Sequence, residues 1–265
     1  MSWLVSFLVS FALGFVIYRL LHSFKVLDVP NDRSSHSVTV VRGGGVAVLL
    51  AGVVTFLLFA ANPIGLVPFL IPLALIASIS FADDVRSLPA RLRLAVHAGT
   101  ALICLGMLSE LRTLPIVILP FFFLWIVSYT NSFNFMDGVN GLAAGQATVT
   151  GLFSALFLFQ HPETSSWAYF ALAISGAAAG FLPHNFPQAR MFLGDVGSIP
   201  LGFIFATIVA IAFPVAGWKT GFALFFLQAN FWLDAGVTIA RRIAKGELRN
   251  LHQAHREHFY QRWIR

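Results

Sequence analysis

Three short stretches of this sequence carry carboxylates and amides where long apolar runs begin or end. They are Asp83-Asp84, the turn Phe133-Asn134-Phe135-Met136-Asp137-Gly138-Val139-Asn140-Gly141-Leu142, and Phe192-Leu193-Gly194-Asp195-Val196-Gly197-Ser198. A charge left inside hydrocarbon costs about 2.5–3.5 kcal/mol even on insertion scales, so carboxylates kept at such positions need a use. Hard oxygen donors suit Mg2+, which takes one or two protein carboxylates and leaves its other positions to water and substrate phosphates. Amides read the donor and acceptor edge of a base or an acetamido group. The three stretches together describe a site for a divalent cation and a phosphorylated substrate.

Neighbouring helical positions point roughly 100° apart, so one carboxylate of Asp83-Asp84 can face a metal while the other faces an acceptor. Arg86, Arg91 and Arg93 follow and supply contacts for an anion; the plainer alternative is a solvated cap at the membrane edge. Asn131, Asn134 and Asp137 recur every three residues and would share one helical face, while Gly138 and Gly141 permit close backbone approach. Asp195 sits on a tight turn beside a helix N-terminus, as either a ligand or an N-cap, with Phe192 in position to stack on a base. Arg42-Gly43-Gly44-Gly45, with Arg33 and His36 upstream, reads either as an anion cradle of backbone N–H groups or as a run of glycines for tight packing. In the tail, Asp234 and Arg241-Arg242 precede His255 and His258, which share a face if helical. That pair fits a phosphate clamp, less well a zinc pair without its other ligands, or else part of a basic segment lying on anionic headgroups.

The elements that must position these groups are membrane helices. The chain is 58% hydrophobic and 11% charged, against about 45–50% and about 25% in soluble proteins, and its mean hydropathy is +0.81. No alternating ten-residue strand pattern is present, so backbone hydrogen bonding in the bilayer falls to helices and the expected fold is all-α. A span needs about 20 apolar residues, which predicts nine: 3–21, 44–62, 64–81, 94–109, 114–130, 141–160, 166–183, 197–214 and 219–239. Pro68, Pro72 and Pro120 are expected to interrupt some of them. Met1 to Leu21 has no basic n-region and no small-residue cleavage site before Arg19, so it reads as the first span rather than a signal peptide. The single Cys104 cannot form an intramolecular disulfide. Residues 1–265 read as one membrane domain with a basic tail over 240–265.

Nine spans put the termini on opposite sides. Of the 17 Lys and Arg, all except Arg112 and Lys219 fall on the side holding the loops 22–43, 82–93, 131–140 and 184–196 and the tail. The positive-inside bias makes that side cytoplasmic and the N-terminus external. The net charge of +6 is then a topology signal reinforced by anionic headgroups and an anionic substrate, and nucleic acid is not expected as a partner. The same assignment gathers Asp83, Asp84, Asp137, Asp195 and Asp234 at the cytoplasmic surface and leaves Glu110 and Glu163 outside.

The ordered set Arg42 to Gly45, Asp83-Asp84, Asn131 to Leu142, Phe192 to Ser198, Asp234 with Arg241-Arg242, and His255 to Arg262 resembles the polyprenyl-phosphate N-acetylhexosamine-1-phosphate transferases. That family includes the phospho-MurNAc-pentapeptide translocase and the enzymes that initiate O-antigen chains; the tail looks most like the O-antigen branch. The resemblance implies a multi-pass enzyme of the bacterial cytoplasmic membrane with its site facing the cytoplasm. Its implied donor is a UDP-N-acetylhexosamine, its acceptor undecaprenyl phosphate and its cofactor Mg2+, with Mn2+ as a substitute. By the same resemblance Asp195 is the principal metal ligand, Asp83 faces the lipid phosphate, and Asp84 assists at the metal or phosphate. Asn131, Asn134 and Asp137 line the nucleotide-sugar pocket, Phe192 stacks on uracil, and Arg42, Arg93, Arg241, Arg242, His255 and His258 serve phosphate or substrate. A homodimer is an admissible assembly, within membrane lipid.

Departures from the family pattern are Ser87 where Lys or Asp is common, Asn140 in place of the second Asp of the central motif, Arg256-Glu257 between the histidines, and no further span before Arg265. Among rival enzymes, an intramembrane prenyltransferase calls for two spaced Asp-rich motifs and a CDP-alcohol phosphotransferase for a longer Asp series. The alternative outside catalysis is a lipid or solute transporter, whose ionisable groups belong near mid-bilayer in paired repeats.

Overall fold

The computed structural model describes residues 1–30 and 38–246. His255, His258 and the rest of the expected phosphate clamp lie outside the described residues, as do Arg33 and His36. Ten α-helices are present among the described residues: α1 (Ser2–Ser23), α2 (Gly45–Phe59), α3 (Val67–Arg86), α4 (Ala90–Met107), α5 (Leu119–Phe135), α6 (Leu142–Leu158), α7 (Ser165–Asn185), α8 (Asp195–Val215), α9 (Gly217–Leu227) and α10 (Ala229–Ala244). The fold is helical as expected, with one addition. Strands β1 (Leu27–Asp28) and β2 (Val40–Val41) pair antiparallel, Leu27 opposite Val41.

A helix lies on each of the nine predicted segments, but not all are long enough to cross a bilayer. Six qualify by length and composition among the described residues, in α1, α3, α4, α5, α7 and α8, where α3, α5 and α7 are counted with the 3-10 turns that lead into them from Pro63, Ile116 and Pro162. The pair α9 and α10, bent by 63°, makes a seventh if it is one span. The 15-residue α2 and 17-residue α6, at about 1.5 Å per residue, fall short of the hydrocarbon thickness of about 30 Å. Pro68 and Pro120 do not interrupt helices. Each sits in the first turn of its helix, where a missing N–H costs nothing. Pro72, by contrast, is inside α3.

The chain runs up and down, so the ends of α1, α3, α5 and α7 and the starts of α2, α4, α6 and α8 meet at one end of the bundle. At the centre stands α8, buried at every residue from Asp195 to Ala212 and packed against α2, α3, α5 and α6. Phe203 of α8 stacks on Phe69 of α3, ring centroids 5.6 Å apart. The outer helix α1 shows the inverse of a soluble pattern. It buries Ser2, Ser6, Ser10 and Gly14 and exposes Leu4, Leu8 and Phe15. Lipid satisfies the large apolar side chains, so helices approach through small residues. A Cβ on Gly180 of α7 would lie 2.2 Å from the Phe7 carbonyl oxygen, and Ser6 Oγ donates to the Ala173 carbonyl at 2.6 Å.

Candidate active site

At the end where these termini meet, the last turn of α3 presents Asp83 and Asp84 in different directions. Asp83 accepts the Leu88 N–H through Oδ1 and Arg93 Nη1 through Oδ2, at 2.8 Å. The Asp84 side chain is wholly buried, and its two oxygens accept the backbone N–H groups of Asp195 and Val196, each at 2.9 Å. Arg42 Nε lies 2.6 Å from Asp84 and its Nη2 lies 2.7 Å from Asp195 Oδ1. Arg93 Nη1 closes the set at 3.1 Å from Asp195 Oδ2. The result is a continuous chain, Asp84 to Arg42 to Asp195 to Arg93 to Asp83, in which three carboxylates face two guanidiniums. Asp195 is the first helical residue of α8, not its N-cap; that position is Gly194.

Glycines let the segments approach. Gly194 has a left-handed φ of 75°, and a Cβ there would lie 2.7 Å from Asp84 Oδ2 and 2.8 Å from the Gly43 nitrogen. Two of the three N–H groups expected to cradle an anion at Gly43-Gly44-Gly45 are already taken. The N–H groups of Gly44 and Gly45 donate to the carbonyls of Phe192 and Leu193 at 2.9 and 2.8 Å, leaving none of that pair for an anion. Gly45 is instead the crossing point of α2 on α8, where a Cβ would fall 2.1 Å from Gly197 Cα. Arg42 is aimed by β2: its N–H donates to the Val26 carbonyl, and Val41 accepts the Phe192 N–H at 2.8 Å. Burial opposes its charge, but the carboxylates of Asp195, Asp84 and Asp28 outweigh that and raise its pKa further.

The shared helical face of the central stretch ends early. α5 stops at Phe135, so Asp137 lies in the turn beyond it and not in line with Asn131 and Asn134. Asn134 Oδ1 accepts Ser198 Oγ at 3.2 Å, which ties it to α8. Asn131 Nδ2 donates to the Val127 carbonyl of its own helix at 2.7 Å. The Asp137 carboxyl is pushed well above the usual carboxylate range by burial, and secondarily by the negative charge of Asp195 and Asp84 against the positive charge of Arg42. It thus belongs to the same electrostatic neighbourhood. Phe192 is half-buried. Arg241 and Arg242 occupy the last turn of α10, with Arg242 buried, and α10 packs on α5. Asp234 accepts Thr238 Oγ1 at 3.2 Å.

Two amides join the loops: Asn140 of the central stretch, and Asn185, to which the sequence reading gave no place in the site. Asn185, at the end of α7 and 3% exposed, accepts the Gly141 N–H at 2.7 Å and donates to the Met191 carbonyl at 3.1 Å. Asn140 Nδ2 donates to the Pro187 carbonyl at 3.1 Å. A lone amide at the end of an apolar run, such as Asn185, carries no spacing signal that would have marked it.

Among the described residues, no three or more His, Cys, Asp and Glu close on one point as a metal cage would. Mg2+ does not require one, since one or two carboxylates suffice beside water and phosphate. Asp195 and Asp83, joined through Arg93, fit that requirement. Asp84 is placed differently, because coordinating a metal would take it from two backbone N–H groups.

Residues 66–213 match the family model described as glycosyl transferase family 4. An undecaprenyl-phosphate alpha-N-acetylglucosaminyl 1-phosphate transferase from Thermotoga maritima is 32% identical, over 97% of this chain and 80% of that protein. A phospho-N-acetylmuramoyl-pentapeptide-transferase from Thermosynechococcus vestitus is 30% identical, over 78% and 62%. A decaprenyl-phosphate N-acetylglucosaminephosphotransferase from Mycobacterium leprae is 28% identical, over 89% and 69%. The chain thus spans between 62% and 80% of the length of these relatives.

Proposed function

The chain belongs to glycosyl transferase family 4, and from that premise we propose that it transfers N-acetylhexosamine 1-phosphate from a UDP-sugar to undecaprenyl phosphate. N-acetylglucosamine is the first sugar to test, given the names of the relatives. The observation that carries the reading is the ion-paired chain of Asp83, Arg93, Asp195, Arg42 and Asp84, which brings residues from four segments to one end of the bundle.

Phosphoryl transfer asks an enzyme mainly for alignment and charge neutralisation. An oxygen of the lipid phosphate supplies the electron pair for a new bond to the sugar-bearing phosphorus. The bond from that phosphorus to the UMP oxygen breaks, and its electrons leave with UMP. The products are undecaprenyl-diphospho-sugar and UMP. Asp83 orients the incoming lipid phosphate; Arg42 and Arg93 balance negative charge as the diphosphate divides. Asp195 and Asp83 would hold Mg2+, which when bound supplies Lewis-acid stabilisation of the diphosphate. Asp84 keeps Asp195 in place from beneath. Asn134, Asp137 and Phe192 contact the nucleotide sugar.

We read the site end as cytoplasmic because the basic residues gather there, with nine membrane segments and an external N-terminus, in a bacterial inner membrane. A soluble donor then meets an acceptor whose tail stays in the bilayer, and the product starts an O-antigen or another surface polysaccharide. The test is to incubate purified protein with undecaprenyl phosphate, Mg2+ and a panel of UDP-sugars and to identify the lipid product by mass. Formation of the diphospho-sugar with stoichiometric UMP is expected, and its loss by at least about a hundredfold in folded Asp195→Asn, the scale at which an aligned charge matters. Undiminished turnover in that variant would overturn the assignment of Asp195.

A further inference from the structure

We infer that Asn185 is a positioning residue that fixes the spacing between the two halves of the donor site. This rests on the proposed function and deepens it. The donor's contacts divide between the turn after α5, with Asp137, and the loop before α8, with Phe192 and Asp195. Those segments come from opposite flanks of α6 and α7, and one buried amide spans the gap. Its oxygen takes the N–H of Gly141, the N-cap of α6, at 2.7 Å, and its nitrogen reaches the carbonyl of Met191 at 3.1 Å.

Each end of this bridge is itself fixed. Gly141 has φ 78° and lies against Phe186, whose ring carbon would be 2.9 Å from a Cβ there. Met191 forms a parallel bridge with Val41, the residue before Arg42. Asn140 adds a second tie from the same turn to the Pro187 carbonyl. Asn185 therefore holds the turn of Asp137, the loop of Asp195 and, through β2, the approach of Arg42 in one register. An amide suits the task because it donates on one side and accepts on the other. Neither a carboxylate nor a methyl group at this place can satisfy both backbone partners. A ligand whose base and diphosphate contact different segments feels a change of spacing as lost affinity, since misplacement by about 1 Å is costly at such sites.

The test uses the full chain in detergent, with Asn185→Ala and Asn185→Asp. Affinity for UDP-N-acetylglucosamine and its stoichiometry are measured by calorimetry, alongside steady-state KM for donor and for undecaprenyl phosphate. The expected result is a rise of about tenfold in donor Kd and donor KM, with acceptor KM within about twofold of wild type. Asn185→Asp keeps the acceptor for the Gly141 N–H but sets a second acceptor against the Met191 carbonyl, so it breaks one end of the bridge where Asn185→Ala breaks both. A residue that served folding alone would lower the binding stoichiometry and leave the Kd of the remaining protein unchanged. Unaltered donor Kd in both variants, with wild-type protein binding normally, would overturn the inference. Wild-type protein that neither binds nor turns over any UDP-sugar would instead remove the functional reading on which it rests.

Discussion

Both carboxylate oxygens of Asp84 accept backbone N–H groups at the start of α8, one of them from Asp195 at 2.9 Å. The second Asp of the pair thus supports the residue proposed to bind the metal. A negative charge at a helix N-terminus is favourable, by about 0.3–1 kcal/mol and up to about 2 kcal/mol when partly buried. Asp84→Asn loses that charge but keeps an acceptor oxygen. Asp84→Ala also leaves two N–H groups and Arg42 without this partner, a change that costs about 3–5 kcal/mol for a buried pair. The lower end of that range applies, because the Arg42 side chain retains 29% exposure. Thermal unfolding in detergent should rank wild type above D84N and D84N above D84A; equal stability of the two variants would contradict this role.

The two arginines should respond differently to lysine. Arg42 uses Nε toward Asp84 and Nη2 toward Asp195, whereas Arg93 meets both of its carboxylates through Nη1 alone. A lysine is a point charge and cannot reproduce a fork. Arg93→Lys is therefore expected to retain at least about ten times more kcat/KM than Arg42→Lys, a difference of about 1.4 kcal/mol. Equal losses, measured by UMP release, would count against the two geometries.

Gly45 and Gly145 form a matched pair of glycine-to-alanine tests. A Cβ at Gly45 would fall 2.1 Å from Gly197 Cα, while one at Gly145 meets nothing within 4 Å. Gly45→Ala must part α2 from α8, a backbone contact that cannot swing aside, and should cost at least the about 1–3 kcal/mol typical of overpacking. Gly145→Ala should gain about 0.5–1 kcal/mol from reduced chain entropy. A neutral Gly45→Ala would show that the crossing is looser than described.

Asp137 gives a pH dependence of stability. Its folded-state pKa is raised, chiefly by burial and then by Asp195, so the folded protein holds this proton more tightly than the unfolded chain. That stabilisation is full below the ordinary carboxylate pKa of about 3.9 and is lost as pH rises through the raised value. Asp137→Asn does not titrate, so its stability relative to wild type should increase over the interval that opens at about pH 4. The observable is the difference in Tm between the two proteins across that interval. A constant difference would show that the carboxyl titrates normally.

Local signals carried much of the architecture into the sequence. Apolar runs located the helices, and carboxylates at their ends located one end of the bundle, as with Asp83 after Phe81 and Asp195 before Val196. What was hidden depends on partners far away in the chain. Arg42 and Asp195 are separated by 153 residues, and Asp84 and Asp195 by 111; no periodicity reports such a pairing. The three-residue spacing from Asn131 misled at Asp137 because a helical face exists only while the helix continues, and α5 ends at Phe135. The glycines after Arg42 suit either an anion or a neighbouring backbone. Only the presence of Phe192, Leu193 and Gly197 decides between them at Gly44 and Gly45. Pro68 and Pro120 read as interruptions for want of an exact helix start, and Asn185 is one amide with no pattern around it.

The central helix α8 meets lipid almost nowhere, while α1 and α3 carry the apolar sides that do. A bilayer that is too thick or too thin exerts its strain on helices in contact with acyl chains, which tilt or shift to accommodate it. The outer helices can take up that mismatch around a shielded post, so the depth of Asp195 relative to its protein neighbours is decoupled from membrane thickness. Asp83 sits on the lipid-contacting α3 and is tied to that post through Arg93 and through its neighbour Asp84.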